Sequence, residues 1–132
     1  MSQTNNKYQN LRILIAEDDE LSYLYIKIIL KSITKNFVRV KTGEEVLRHL
    51  ESEPADILLL DVNLPDVSGL EVVNVIFEKY PSLGIILNSA FSLEDEREDA
   101  MKRSNFHYLS KPLKKEKMLD AIEKILNSVV HN

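Results

Sequence analysis

Ile57-Leu58-Leu59-Leu60-Asp61, four apolar residues ending in a carboxylate, is the stretch that decides the fold. An apolar run of this length without alternation suits a central strand covered on both faces. The chain repeats the device. Arg12-Ile13-Leu14-Ile15-Ala16 runs into Glu17-Asp18-Asp19, Ile85-Ile86-Leu87-Asn88 runs into Ser89, and Tyr108-Leu109-Ser110 runs into Lys111-Pro112. Laid side by side as parallel strands, these runs bring the polar groups that follow them to one carboxyl edge, where open α/β sheets bind ligands.

Between the runs lie helical patterns, and that alternation is the mark of βαβ units. The expected strands cover 11–16, 37–40, 56–60, 84–88 and 106–109. A first helix over about 20–34, N-capped by Asp19, carries Leu21, Leu24, Tyr25, Ile28 and Ile29 at helical spacing as its core stripe. The same helix also holds Tyr23, Ile26, Leu30 and Ile33. A wide buried face accounts for them, and a docking patch for a partner's helix is the alternative. Thr42-Gly43-Glu44-Glu45 and Ser68-Gly69-Leu70-Glu71 read as capping boxes opening two further helices, one ended before Pro54 and the other by Tyr80-Pro81. Ser92 with Asp95 would open a fourth, acidic helix containing Glu94 and Glu96. A last helix over about 114–129 buries Met118, Leu119, Ile122, Ile125, Leu126 and Val129. Residues 1–10 are expected to be a flexible lead-in, and 11–130 one domain.

Composition narrows the function. The chain has 132 residues, 44% hydrophobic and 29% charged, with a net charge of −4, so no global field favours nucleic acid. Lys111, Lys114, Lys115 and Lys117 cluster without aromatic interleaving, which speaks against direct DNA binding. The absence of cysteine removes disulfides, thiol chemistry and cysteine-based zinc sites. No apolar run approaches the roughly 18–20 residues of a membrane span, and the polar start lacks a secretory signal, so a cytoplasmic location is expected.

Asp61 is the leading candidate residue: a carboxylate on a rigid strand end can accept a phosphoryl group, a reaction governed by positioning and charge neutralisation. Taken alone it would be an ordinary loop cap. Glu17 and Asp18 alter that reading, because three carboxylates crowded at one rim repel unless a hard divalent cation joins them. Mg²⁺ needs only one or two direct carboxylates, since it keeps several waters. Lys111 supplies the opposing charge, to Asp61 at rest and to a phosphoryl oxygen afterwards. Pro112 makes the Lys111–Pro112 bond a candidate cis peptide. Ser89 offers a hydroxyl, and the backbone carbonyl of Asn63 could reach the metal. Asp61-Val62-Asn63 starts like a calcium loop, but Pro65 and Asp66 fall where that loop needs a ligand and a glycine. His49, His107 and His131 have no metal spacing.

Together these residues make the sequence similar to the receiver domain of bacterial two-component response regulators, over about residues 11–130. The resemblance rests on Ile13-Leu14-Ile15-Ala16-Glu17-Asp18, Asp61-Val62-Asn63-Leu64-Pro65-Asp66-Val67-Ser68-Gly69, Ser89-Ala90 and Tyr108-Leu109-Ser110-Lys111-Pro112. It implies a flavodoxin-like, doubly wound (βα)5 fold with a five-stranded parallel sheet in the order 2-1-3-4-5 and helices on both faces. It further implies phosphorylation of Asp61 by a phosphohistidine of a sensor kinase or phosphotransfer protein. Asp18 and Asp61 would bind Mg²⁺ directly, Glu17 through water, and Asn63 through its carbonyl. Ser89 and Ala90 would meet the phosphoryl group, and Tyr108 would follow as the switch aromatic. A monomer, or a weak phosphorylation-dependent dimer, is expected.

Two departures stand out. Ser104-Asn105 replaces the usual Gly-Ala, where a larger side chain would crowd Ser89 and Tyr108, and bulky Phe91 would shield the acyl phosphate from water. The reading is of a signalling switch, not a metabolic enzyme. Its rivals are a receiver-like scaffold that is never phosphorylated and a Mg²⁺-dependent phosphatase with an aspartyl intermediate; the second lacks a carboxylate two residues beyond Asp61.

Overall fold

The computed structural model describes residues 8–90 and 103–130. Five strands, β1 (Arg12–Ala16), β2 (Asn36–Val40), β3 (Ile57–Asp61), β4 (Gly84–Ser89) and β5 (Phe106–Ser110), form one sheet in the order β2-β1-β3-β4-β5. Every neighbouring pair is parallel. The described helices are α1 (Glu20–Lys31), α2 (Gly43–Ser52), α3 (Gly69–Lys79) and α4 (Lys115–Val130). The acidic helix expected after Ser92, and Phe91, lie outside the described residues.

Strand alternation divides the core in two. Ile13, Ile15, Ile57, Leu59 and Ile86 face α1 and α4, while Leu14, Leu58, Leu60, Ile85 and Leu87 face α2 and α3. β3 and β4 are buried at every position, as their unbroken apolar character demands. On α4, Met118, Ile122 and Ile125 are buried, with Leu119 and Leu126 partly so and Ala121 joining them.

Local signals account for the element ends. Asp19 caps α1, its carboxylate accepting the Ser22 N–H at 2.8 Å. Thr42 and Glu45 close a full capping box on α2. Ser68 caps α3 differently from expectation: its hydroxyl takes the Leu70 N–H at 3.1 Å, and no reciprocal Glu71 bond forms among the described residues. The anticipated lead-in is not free throughout. Tyr8 packs against the core, and Gln9 carbonyl accepts from Thr34 Oγ1 at 3.1 Å.

The first helix is rotated relative to the sequence reading, and shorter. Ile26, Ile29, Leu30 and Ile33 are buried, whereas Leu21, Leu24, Tyr25 and Ile28 are 78%, 50%, 46% and 64% exposed. Of the expected stripe only Ile29 faces the core. A helix apolar on nearly every side has no unique period-3.6 stripe, so periodicity alone could not select its buried face. The wide-buried-face reading is therefore overturned.

Asn105 also behaves differently from expectation. Its Nδ2 donates to the carbonyls of Pro81 at 3.0 Å and Leu83 at 2.8 Å, holding the turn before β4 at the amino end of the sheet. It sits at the opposite end of β5 from Ser110, so its larger side chain does not crowd the carboxyl edge.

Candidate functional site

The carboxyl ends of β1, β3, β4 and β5 assemble the site. Asp61 is the last residue of β3 and only 3% exposed; Glu17, directly after β1, is 1% exposed; Asp18 beside it is open to solvent. One carboxylate oxygen from each of Glu17, Asp18 and Asp61 lies within 4.8 Å of the others. Lys111 reaches into this group, with Nζ 3.2 Å from Asp61 Oδ2 and 3.6 Å from Glu17 Oε1. The Lys111–Pro112 peptide is cis.

Backbone contacts hold these groups in place. The Asn63 N–H donates to Asp61 Oδ1 at 3.1 Å, and the Asp19 N–H to Glu17 Oε2 at 3.2 Å. Val62 N–H bonds to Asn88 carbonyl at 3.0 Å and Lys111 N–H to Ser89 carbonyl at 2.8 Å, extending the sheet pairing one residue past the strands. Gly69 allows the loop after β3 to close tightly. A Cβ there would lie 2.6 Å from Asp61 carbonyl oxygen and 3.0 Å from Val62 Cα, closer than backbone atoms tolerate. Asp66 ties the same loop to α2, accepting from the N–H groups of Gly43 at 2.8 Å and Glu44 at 3.0 Å.

Electrostatics favour a cation. Burial, and after it the Asp61 charge, push the Glu17 carboxyl up from its ordinary 4.5 to about 7, against the opposing pull of Lys111. Glu17 Oε1 is buried and accepts no hydrogen bond from a described residue. Three clustered oxygen donors, one of them unwilling to ionise without more positive charge, match the requirements of a hard divalent ion. Such an ion would be held by Asp18 and Asp61 with Glu17 behind them, and it would neutralise charge on a transferring phosphoryl group.

The other sequence candidates fall around this centre. Ser89 ends β4 fully buried, and Ala90 follows it in the open. Tyr108 is half-buried against the cluster under α2 and α3, on the other side of the sheet from the lysine–carboxylate group. The Asn63 residue is exposed. Two residues were not singled out from sequence. Arg39, in β2, donates from Nε to Glu17 carbonyl at 2.9 Å and from Nη1 to Glu20 at 3.0 Å. Asn88 is a buried polar residue in register with Asp61. The only sequence signal for either is a polar residue within a strand.

Beside the site, α1 and the loop after β5 form a groove of about 440 Å³ lined by Leu21, Tyr25, Ile26, Pro112 and Leu113 together with Glu17 and Lys111. The exposed apolar face of α1 is thus continuous with the acid–lysine cluster.

Comparison with known proteins agrees with this geometry. The family model for the response regulator receiver domain matches residues 13–123. The chain is 30% identical over 115 residues to the chemotaxis protein CheY of Listeria monocytogenes, covering 86% of this chain and 97% of that protein. It is 33% identical over 112 residues to the DNA-binding transcriptional regulator NtrC of Proteus hauseri, spanning 83% of this chain but only 23% of that longer protein. Among solved structures, a CheY-like receiver domain from Methanospirillum hungatei superposes with a TM-score of 0.81 at 24% identity, covering 92% of this chain and 98% of that one. The Thermotoga maritima response regulator TrrA, in complex with Mg²⁺–BeF, gives 0.75 at 25% identity, with 88% and 99% covered.

Proposed function

The chain belongs to the response regulator receiver domain family, and on that premise we propose that Asp61 takes a phosphoryl group from a phosphohistidine in a Mg²⁺-dependent transfer. A carboxylate oxygen of Asp61 bonds to phosphorus as the P–N bond to the donor imidazole breaks. The electron pair leaves with the imidazole, which takes up a proton, and Asp61 becomes an acyl phosphate. Bound Mg²⁺ would supply charge neutralisation to the phosphoryl oxygens. The residues of this chain do the rest. The Asn63 N–H holds one oxygen of Asp61, and Lys111 holds the other until it can pass to a phosphoryl oxygen. In this reading Ser89 and Ala90 meet the new group, the Asn63 carbonyl is the further metal donor, and Tyr108 is the packing element that reports the change.

The observation that carries this reading is the Lys111–Asp61 contact at 3.2 Å inside the three-carboxylate cluster. An ordinary strand-ending aspartate has no such company. The phosphodonor is a sensor histidine kinase or a histidine phosphotransfer protein, docking over the exposed face of α1. Leu21, Leu24, Tyr25 and Ile28 offer that helix-sized apolar surface next to the site. Among the described residues no helix is long and apolar enough to cross a membrane.

Intact mass after incubation with acetyl phosphate and Mg²⁺ tests the reading. The native chain gains one phosphoryl group, and Asp61→Asn gains none. A native chain that stays unlabelled would leave the contact-only scaffold as the better account, and steady turnover of a chromogenic phosphate ester would favour the phosphatase.

A further inference from the structure

The first turn of an α-helix leaves its backbone N–H groups without partners inside the helix. In α2 the local capping box takes two of them: Glu45 N–H donates to Thr42 Oγ1 at 3.0 Å, and Thr42 N–H to Glu45 Oε1 at 3.2 Å. The next two go to one residue far along the chain. Gly43 N–H donates to Asp66 Oδ1 at 2.8 Å, and Glu44 N–H to Asp66 Oδ2 at 3.0 Å. A carboxylate shared between two N–H donors at the positive end of a helix makes a charge-assisted clamp. Thr42 and Glu45 already give α2 a local start signal, so Asp66 adds a tie between elements.

The clamp grips the loop that leaves the carboxylate cluster. After Asp61 the chain folds back on itself before α3. Gly69 N–H donates to Val62 carbonyl at 2.7 Å, and Asn63 faces Ser68 across an isolated antiparallel bridge. The outer end of this loop, with Asp66 and Val67, lies on α2. A Cβ at Gly43 would stand 2.5 Å from Val67 Cγ2 and 3.0 Å from Val72 Cγ2, so bare backbone is what lets loop and helix approach. Asp66 Oδ1 also accepts the Val67 N–H at 3.0 Å, which stiffens the corner. At the inner end, Asn63 N–H holds Asp61 Oδ1 at 3.1 Å. Only Leu64 and Pro65 separate Asn63 from Asp66, and the proline ring fixes one of the backbone angles between them. A short, stiff segment thus joins the start of α2 to the acidic cluster.

We propose that Asp66 is a positioning residue for the metal: its clamp on α2 holds the loop so that Asn63 presents its carbonyl to the divalent ion. In return the bound ion steadies the first turn of α2, because coupling between two sites is reciprocal. The proposal rests on the Mg²⁺ site argued above and does not require phosphorylation of Asp61.

The experiment uses the full chain and Mg²⁺ without any phosphodonor. Calorimetry gives the Mg²⁺ affinity, NMR gives hydrogen exchange of the Gly43 and Glu44 amides, and melting temperatures are taken alongside. In the native chain Mg²⁺ slows exchange at both amides severalfold. Asp66→Ala weakens Mg²⁺ binding severalfold and abolishes that slowing. Asp66→Asn keeps an oxygen for Gly43 and Val67 but loses the bond to Glu44, and its affinity falls between the two. Thr42→Ala removes the local cap of the same helix and lowers the melting temperature, yet leaves Mg²⁺ affinity at the native value. Native affinity in Asp66→Ala overturns the proposal and leaves Asp66 a helix cap. Equal losses in Asp66→Ala and Asp66→Asn overturn it by tracing the effect to charge alone, and equal losses in Asp66→Ala and Thr42→Ala by tracing it to general loosening. A native chain that binds Mg²⁺ but takes no label from acetyl phosphate defeats the phosphotransfer reading, while the affinities still decide the role of Asp66. A native chain that binds no Mg²⁺ overturns both.

Discussion

Glu17 and Asp61 stand buried at the ends of neighbouring strands and share one ammonium, with Lys111 Nζ 3.6 Å from the first and 3.2 Å from the second. One positive charge cannot satisfy both, and Glu17 is the group that yields, its carboxyl held near 7. An unfolded chain ionises Glu17 near 4.5, so between about 4.5 and about 7 the folded state keeps a proton that the unfolded state has lost. Stability of the metal-free protein from this group is therefore greatest at low pH, falls as pH rises through that window, and then levels off. Glu17→Gln removes this slope and raises stability at about pH 8 by on the order of 1–2 kcal/mol. Added Mg²⁺ flattens the native slope by favouring the ionised form. Urea denaturation at several pH values, with and without Mg²⁺, checks each statement; a metal-free native chain as stable above the window as below it would contradict them.

Gly69→Ala is expected to damage both stability and chemistry. The added methyl meets Asp61 carbonyl oxygen at 2.6 Å, and the obstacle is backbone at the proposed phospho-acceptor, not a side chain that can swing away. Forcing the loop outward costs about 1–3 kcal/mol, the usual penalty for overpacking. It also shifts Asp61 relative to Lys111, so labelling by acetyl phosphate slows. Denaturation midpoints and labelling rates measured on the same sample test the coupling of the two effects.

The two sides of α1 are expected to separate folding from recognition. Ile26 is 1% exposed, and Ile26→Ala opens a core cavity at a cost of about 2–5 kcal/mol. Leu24 and Ile28 lie on the open face, so Leu24→Ser and Ile28→Ser change stability by no more than about 0.5 kcal/mol. They weaken transfer from the kinase or phosphotransfer partner on the order of tenfold, worth ~1.4 kcal/mol at a docking surface. Labelling by acetyl phosphate stays at the native rate. Equal transfer from the protein donor to native and Leu24→Ser chains would remove α1 from the interface.

The contrast within α1 explains what the sequence could disclose. β3 and β4 were legible because an unbroken apolar run bounded by polar groups has one good solution, a doubly covered strand. Thr42 with Glu45, and Asp19, marked helix starts through side chains that bond within their own turn. The face of α1 was not legible, since Leu21 and Ile26 are equally apolar and only the sheet beneath chooses between them. Glu17 with adjacent Asp18, and Asp61, could be brought together on paper because Glu17 and Asp61 each follow an apolar run directly. Arg39 beside Glu17, and buried Asn88 beside Asp61, could not, because those juxtapositions come from lateral register between strands far apart in the chain. Asn105 misled for a related reason: its place before β5 says nothing of the two carbonyls it reaches.

Arg39 gives the last expectation. Its guanidinium lies 4.4 Å over the Tyr23 ring, donates to Glu17 carbonyl at 2.9 Å and to Glu20 at 3.0 Å, and so fastens β2 to the loop that carries Glu17 and Asp18. Glu20 keeps a second partner in Lys41 at 3.3 Å, but no other described side chain holds the Glu17 carbonyl. Arg39→Met retains much of the packing on Tyr23 and loses the fork. The acidic loop is then free to spread its charges, and Mg²⁺ affinity falls on the order of tenfold, as for other groups that orient metal ligands from behind. Arg39→Lys keeps the charge without the planar geometry and recovers only part of that affinity. Calorimetric Mg²⁺ titration of the three chains, beside their melting temperatures, separates the effect from general weakening: a loss of stability at unchanged Mg²⁺ affinity would make Arg39 a strut of β2 and nothing more.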